Sequence, residues 1–243
     1  MQDSGYRIPD HCIASLFLLI INARYYSVIV RSALKYSDVK KVIYILLVGG
    51  ILFLGYRWFY SSPTIENINP SGENIICFGD SLTYGYGASN GMDYPSQLSR
   101  LLGVPVINAG VAGDTTARAL QRLTGDVLSQ SPQIVMITLG GNDLKNRIPP
   151  KTAFDNLKKI ISTIQDKGAL VIIGGINIPV YGKGFGEGYR EVALETGAIL
   201  IPDVLDDIMG NRKLMSDPIH PNDSGYSLMA KRFYEAIPSG VLH

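Results

Sequence analysis

Cysteine is almost missing from this chain: 243 residues carry only Cys12 and Cys77. Two thiols cannot make a disulfide framework or a zinc cluster. Histidine is as scarce, at His11, His220 and His243, so a site needing several imidazole ligands is excluded. Charge is sparse as well: Asp, Glu, Lys and Arg make up 18% of the chain while 46% is hydrophobic. A disordered or acidic-tail protein has the opposite balance. Basic and acidic residues number 22 and 21, a net charge of +1, so no global field draws the chain to nucleic acid. Nucleotide motifs fail too. Gly85-Tyr86-Gly87 starts like a dinucleotide-binding glycine run, but the next glycine is Gly91, one residue too late for that spacing. There is no P-loop. Ser81 has no G-x-S-x-G setting, which excludes the α/β-hydrolase elbow. No cofactor and no metal are expected.

What charge there is lies unevenly. Residues 1–60 hold seven Lys/Arg and three Asp, a net of +4, and the remainder 15 basic and 18 acidic residues, a net of −3. Val42–Tyr56 (VIYILLVGGILFLGY) is uncharged, flanked by Lys40, Lys41 and Arg57 and followed by Trp58, Phe59 and Tyr60. Fifteen uncharged residues fall short of the ~20 that a spanning helix needs, but interfacial aromatics and a snorkelling arginine extend such a run. The expectation is an uncleaved single-pass membrane anchor over 42–60. A cleaved signal peptide and a buried core helix are the competing readings; no A-x-A-like cleavage site follows. The basic residues Arg31, Lys35, Lys40 and Lys41 ahead of it would place everything after residue 60 outside the cytoplasm, in the periplasm of a Gram-negative cell. Residues 1–41, with a shorter apolar run at Cys12–Ala23, stay unassigned. Residues 61–72 (SSPTIENINPSG) read as a linker.

From residue 73 to 243 a rhythm sets in. Strand-length apolar runs fall at Ile75–Phe78, Val104–Ile107, Ile134–Leu139, Leu170–Ile173 and Ala198–Ile201. Helical faces lie between them: Tyr94, Leu98, Leu101 and Leu102; Thr116, Leu120, Leu123 and Val127; Phe154, Leu157, Ile161 and Ile164; and finally Tyr226, Met229, Ala230, Phe233 and Ile237. Buried strands alternating with amphipathic helices imply an α/β fold, a three-layer α/β/α domain around a five-stranded parallel sheet. Sites in such sheets lie beyond the C-terminal strand ends. There the polar, glycine-rich residues collect: Gly79-Asp80-Ser81-Leu82, Asn108–Asp114, Gly140-Gly141-Asn142-Asp143, and Asp217–Pro221 before the last helix.

Acyl transfer needs a nucleophile, a base, an orienter for the base and donors for an oxyanion. Ser81 is a nucleophile candidate on a strand-to-helix turn. His220 is the one imidazole within the domain, apart from the terminal His243, and so the base. Asp217, three residues earlier, can hold one ring nitrogen. The Ser81 and Gly113 amides and the Asn142 side chain can make the oxyanion hole, glycine at 113 allowing close approach. Each residue also has a plainer reading: a helix cap for Ser81, a surface histidine for His220, a turn former for Asn142. Asp80, Asp114 and Asp143 read as structural, and Cys77 as a small core residue.

The segments ICFGDSLTYGYG, NAGVAGDTT, LGGND and DPIHP, in this order, resemble the four signature blocks of the SGNH hydrolases, also called the GDSL esterase/lipase family. The resemblance covers about residues 73–238. It implies the flavodoxin-like fold of that family and a metal-independent serine esterase, with Ser81, Gly113, Asn142 and His220 as the four name-giving residues and Asp217 as the acid. Asp93-Tyr94-Pro95 and Asn108–Thr115 resemble the bacterial arylesterase, lysophospholipase and acyl-CoA thioesterase branch. The loop Gly140–Arg147 departs from that branch's usual GGNDGLRG pattern in a stretch that contacts substrate in the family. Val180–Gly188, with four glycines, reads as a mobile stretch. The implied partner is a small-molecule or lipid ester: an aryl ester, a lysophospholipid or an acyl thioester. An envelope-polysaccharide O-acetylesterase of the same fold is the alternative. A catalytically silent binding protein would predict a broken triad.

Overall fold

The computed structural model describes residues 36–59, 64–177 and 185–242. The chain divides into two compact units, Met1–Ser62 and Pro63–His243. The first contains one described helix, α1 (Tyr36–Phe59), of 24 residues. Its described side chains, from Val39 to Phe53, are all exposed. The membrane anchor expected over 42–60 is not carried over: among the described residues no helix is long and apolar enough to cross a membrane. The orientation read from the basic flank rests on that span. The run Cys12–Ala23, His11 and His243 lie outside the described residues.

The second unit is built on β1 (Asn74–Gly79), β2 (Val106–Gly110), β3 (Pro132–Thr138), β4 (Leu170–Gly174) and β5 (Ile199–Ile201). They form one sheet in the order β2-β1-β3-β4-β5, every pair parallel. The order reverses at β1, which sits between β2 and β3, so the crevice of a doubly wound sheet opens beyond its C-terminal end. The central strands are apolar throughout because both faces are covered: Ile76, Cys77, Phe78, Ile134–Ile137 and Leu170–Ile173 are fully buried.

The helices are α2 (Ser81–Tyr84), α3 (Tyr94–Leu102), α4 (Thr116–Asp126), α5 (Gly141–Lys145), α6 (Pro150–Gln165), α7 (Phe185–Thr196) and α8 (Asp223–Ala236). The apolar face of α6 buries Ala153, Leu157, Ile160, Ile161 and Ile164, and that of α8 buries Tyr226, Met229, Ala230 and Phe233. Side-chain caps start them: Asp93 accepts from the Ser96 amide ahead of α3, and Asn222 from the Ser224 and Gly225 amides ahead of α8.

Some expectations shift. β2 begins at Val106 rather than Val104, which is exposed at the sheet edge, as is Leu101 at the end of α3. Of Val180–Gly188, residues 180–184 lie outside the description, and helix α7 starts at Phe185. The stretch read as a linker is bonded to the domain: Glu66 N–H donates to Gly197 O, Ser71 N–H to Gly168 O, and Asn67 Nδ2 to Gln165 O and Ala169 O.

Two strand-end glycines bring the site elements together. A Cβ on Gly110, at the end of β2, would strike the main chain of Thr83 and Tyr84 in α2; one on Gly79 would strike Thr83 and Thr138. The Gly110→Ala substitution therefore forces backbone apart, and it should cost roughly 1–3 kcal/mol, read as a lower urea midpoint at unchanged m. A midpoint equal to the parent's would mean that the close approach of α2 to β2 carries no weight.

Candidate active site

Gly79 closes β1, and Asp80 caps the short helix that follows. Its Oδ1 accepts from the Leu82 amide at 3.0 Å, and this turns the chain so that Ser81 opens α2 beside the strand end. Asp217 and His220 lie just before α8, in a loop closed by the Met215–Pro221 bridge and the bond from Ser216 N–H to His220 O at 2.9 Å. The loop carries His220 to Ser81: Nε2 and Ser81 Oγ are 3.0 Å apart. Nδ1 lies 2.6 Å from Asp217 Oδ2, while Asp217 Oδ1 accepts from the Ile219 and His220 amides, each at 2.8 Å. Burial pushes the Asp217 carboxyl up, but the His220 ring and the two amides outweigh it, and it sits below the usual aspartate value. It is therefore an anion at neutral pH, and it accepts from His220 Nδ1–H.

Gly113, in the loop after β2, is exposed with φ +83°, a left-handed conformation that glycine adopts without a steric penalty. Asn142 comes from the first turn of α5, where it donates through Nδ2 to Asp114 O at 3.0 Å and to Asp80 Oδ2 at 3.2 Å. Ser81, Asn142 and His220 line one cavity of about 890 Å³. Its remaining wall is mostly apolar, with Leu82, Leu144, Ile148, Ile176, Phe185, Leu205, Met209 and Ile219; Lys145 and Arg147 also line it. Cys77 is buried, and its burial holds the thiol far above the range where it ionises. Among the described residues no group of His, Cys, Asp and Glu is arranged to hold a metal ion.

Beneath these groups lies a network that sequence patterns did not reveal. Arg122 on α4 pairs with Asp114 (2.6 Å) and Asp126 (2.8 Å), donates to Ala109 O and Gly79 O, and stacks 4.4 Å over the Phe78 ring. One guanidinium thus ties the ends of β1 and β2 to the loop that carries Gly113. Asp143, fully buried, accepts from the Thr116 amide and hydroxyl at 2.9 and 2.7 Å, binding α5 to α4. Asp114 and Asp143, read from the sequence as structural, make these bonds. No local period marks Arg122; it sits on an amphipathic helix like any surface arginine.

The profile of the GDSL-like lipase/acylhydrolase family matches residues 77–228. The chain belongs to this family of ester-hydrolysing enzymes. It is 33% identical to an arylesterase of Vibrio mimicus over 172 residues, 66% of this chain and 86% of that protein. It is 27% identical to thioesterase 1/protease 1/lysophospholipase L1 of Escherichia coli over 168 residues, 66% of this chain and 81% of that protein. Among solved structures, the psychrotrophic esterase EstA from Pseudoalteromonas sp., inhibited by monoethylphosphonate, superposes with a TM-score of 0.63 at 28% identity, covering 68% of this chain and 96% of that one.

Asp80 marks the site's electrostatic cost. Burial, chiefly, with Asp114 and Asp143 nearby, pushes its carboxyl up to about 7, against the pull of the Leu82 amide and Asn142. An aspartate with a raised folded-state value binds a proton that the unfolded chain has lost, so from about pH 4 to about 7 its contribution to stability falls as pH rises. The Asp80→Asn substitution removes that slope. The difference in unfolding free energy between variant and parent should therefore move in the variant's favour between pH 5 and 7, by at most about 1.4 kcal/mol per pH unit, and level off above. Denaturant melts at pH 5, 6, 7 and 8 check this; a difference independent of pH would mean that Asp80 is ionised throughout.

Proposed function

We propose that the protein is a serine esterase that hydrolyses carboxylic esters or thioesters through an acyl-enzyme on Ser81. The observation that supports this best is the unbroken chain from Ser81 Oγ through both nitrogens of His220 to Asp217. In this reading the proton of Ser81 passes to Nε2 as Oγ attacks the carbonyl carbon. The resulting imidazolium is held by Asp217, which stays ionised. The carbonyl oxygen takes the negative charge and is met by the Ser81 and Gly113 amides and by Asn142 Nδ2. The first amides of a helix have no partner within it, and Ser81 is the first residue of α2. Collapse of the adduct returns the proton to the leaving alcohol or thiol. Water, activated by the same imidazole, then releases the acid.

Asn142 must give up a bond to do this, because both its amide hydrogens are engaged. The longer one, to Asp80 Oδ2 at 3.2 Å, is the one to yield; the 3.0 Å bond to Asp114 O keeps the amide aimed.

The size and apolar wall of the cavity favour an acyl chain of some length over an acetyl group, which argues against the carbohydrate O-acetylesterase reading. Aryl esters, acyl thioesters and lysophospholipids, the substrates in the relatives' names, all bring such a chain or ring.

The test is a hydrolysis panel of short and long p-nitrophenyl esters, acyl-CoA, lysophospholipid and acetylated sugar, run with the Ser81→Ala and Asn142→Ala variants. Ser81→Ala should fold normally and lose several orders of magnitude in turnover, and a fluorophosphonate should label Ser81 alone. Asn142→Ala should lower kcat by about 10²–10³ with KM little changed. Full activity in Ser81→Ala, or a preference for acetylated sugar over every longer acyl ester, would contradict the proposal.

A further inference from the structure

The Gly85-Tyr86-Gly87 segment, which fails as a nucleotide-binding run, lies against the site. The ring of Tyr86 packs on the His220 imidazole with centroids 4.5 Å apart and planes inclined by 43°. The main chain that carries the ring is held at both its polar groups. Tyr86 N–H donates to Ser81 O at 3.0 Å, and Tyr86 O accepts from the hydroxyl of Tyr226, buried on α8, at 2.8 Å. Gly85 and Gly87 flank it at φ +89° and +86°. A Cβ on Gly85 would strike the side chain of Asp93, and one on Gly87 that of Ser216. A tightly built turn thus presents a side chain that is 52% exposed, so core packing does not account for it. Nor is Tyr86 among the residues of the acyl cavity.

We propose that Tyr86 is a positioning residue for His220, whose π face steadies the imidazole against Ser81 and favours the imidazolium over the neutral ring. This rests on the reading of Ser81 and His220 as nucleophile and base. An aromatic face carries negative potential and attracts a cation within about 6 Å of its centre. The imidazole becomes such a cation when the proton of Ser81 Oγ moves to Nε2 and the electron pair left on Oγ attacks the carbonyl. The other groups facing the imidazole are Asp217 at Nδ1 and Ser81 at Nε2. Asp80, Lys145 and Arg147 line the adjoining cavity with it, and the Tyr226 hydroxyl is held on the Tyr86 carbonyl. Asp217 supplies the main stabilisation of the cation and Tyr86 an increment on top. That increment needs a ring and not a hydroxyl.

The experiment compares Tyr86→Leu and Tyr86→Phe in the full chain. The titration of the His220 imidazole is followed by NMR, with its resonances assigned against His220→Gln, beside the pH dependence of kcat/KM on a p-nitrophenyl ester. In Tyr86→Leu, His220 should titrate about half a pH unit lower than in the parent. The acid limb of kcat/KM should move with it, and kcat should fall about threefold at unchanged KM. Tyr86→Phe should match the parent in all three. Tyr86→Gln replaces the leucine variant if the latter does not fold. A non-aromatic variant whose His220 titrates as in the parent would overturn the proposal, and so would a phenylalanine variant that shifts as far as the leucine one. The NMR titration needs no substrate, so it decides the role of Tyr86 even if no ester is turned over and the esterase reading alone fails.

Discussion

The hydrogen bond between Ser81 and His220 joins residues 139 positions apart, and much of the domain serves to hold its two ends together. Ser81 is set by the end of β1, the switch point of the sheet. His220 is set by a loop that α8 fastens down, and α8 is itself held by Tyr226, Met229 and Phe233 in the core. Tyr94 on α3 stacks on Phe233 with ring centroids 5.1 Å apart and shares a hydrogen bond with Thr83 of α2. Helix α2, through Thr83, and helix α8, through Phe233, thus both meet Tyr94. A small shift in that packing would open the Ser81–His220 distance, which is why two residues so distant in sequence need a close-packed core between them.

The site places three carboxyls beneath its polar groups, and each is handled differently. Asp114 has the Arg122 guanidinium. Asp143 has the amide and hydroxyl of Thr116. Asp80 accepts from the Leu82 amide and from Asn142, and burial drives its carboxyl up to about 7. This is the strain expected where a polar constellation is assembled at the end of a buried strand. Asp217 differs because it is partly open to water and well supplied with donors, so it keeps its charge.

The sequence made the central sheet readable because β1, β3 and β4 are buried on both faces and appear as unbroken apolar runs. Edge strand β2 was displaced by two residues, since Val104 is apolar yet exposed. Helices α2 and α5, of four and five residues, are too short to carry a period. The glycines of 180–188 hid the start of α7. The fifteen-residue apolar run suggested a membrane span that the described helix does not supply. Ser81, Asp217 and His220 were legible because each stands in a local motif. Arg122, the Asp80–Asn142 bond and the Tyr86–His220 contact were not, because they join elements whose proximity only the folded sheet creates.

The most direct measurement is a crystal structure of the protein after reaction with an alkyl fluorophosphonate. A phosphonate on Ser81 mimics the tetrahedral adduct, its phosphoryl oxygen standing for the oxyanion. The account predicts that this oxygen lies within about 3.1 Å of the Ser81 amide, the Gly113 amide and Asn142 Nδ2, with the Asn142–Asp80 bond broken and the alkyl group directed into the apolar cavity. A phosphoryl oxygen turned away from all three donors, or a phosphonate on any other residue, would contradict it.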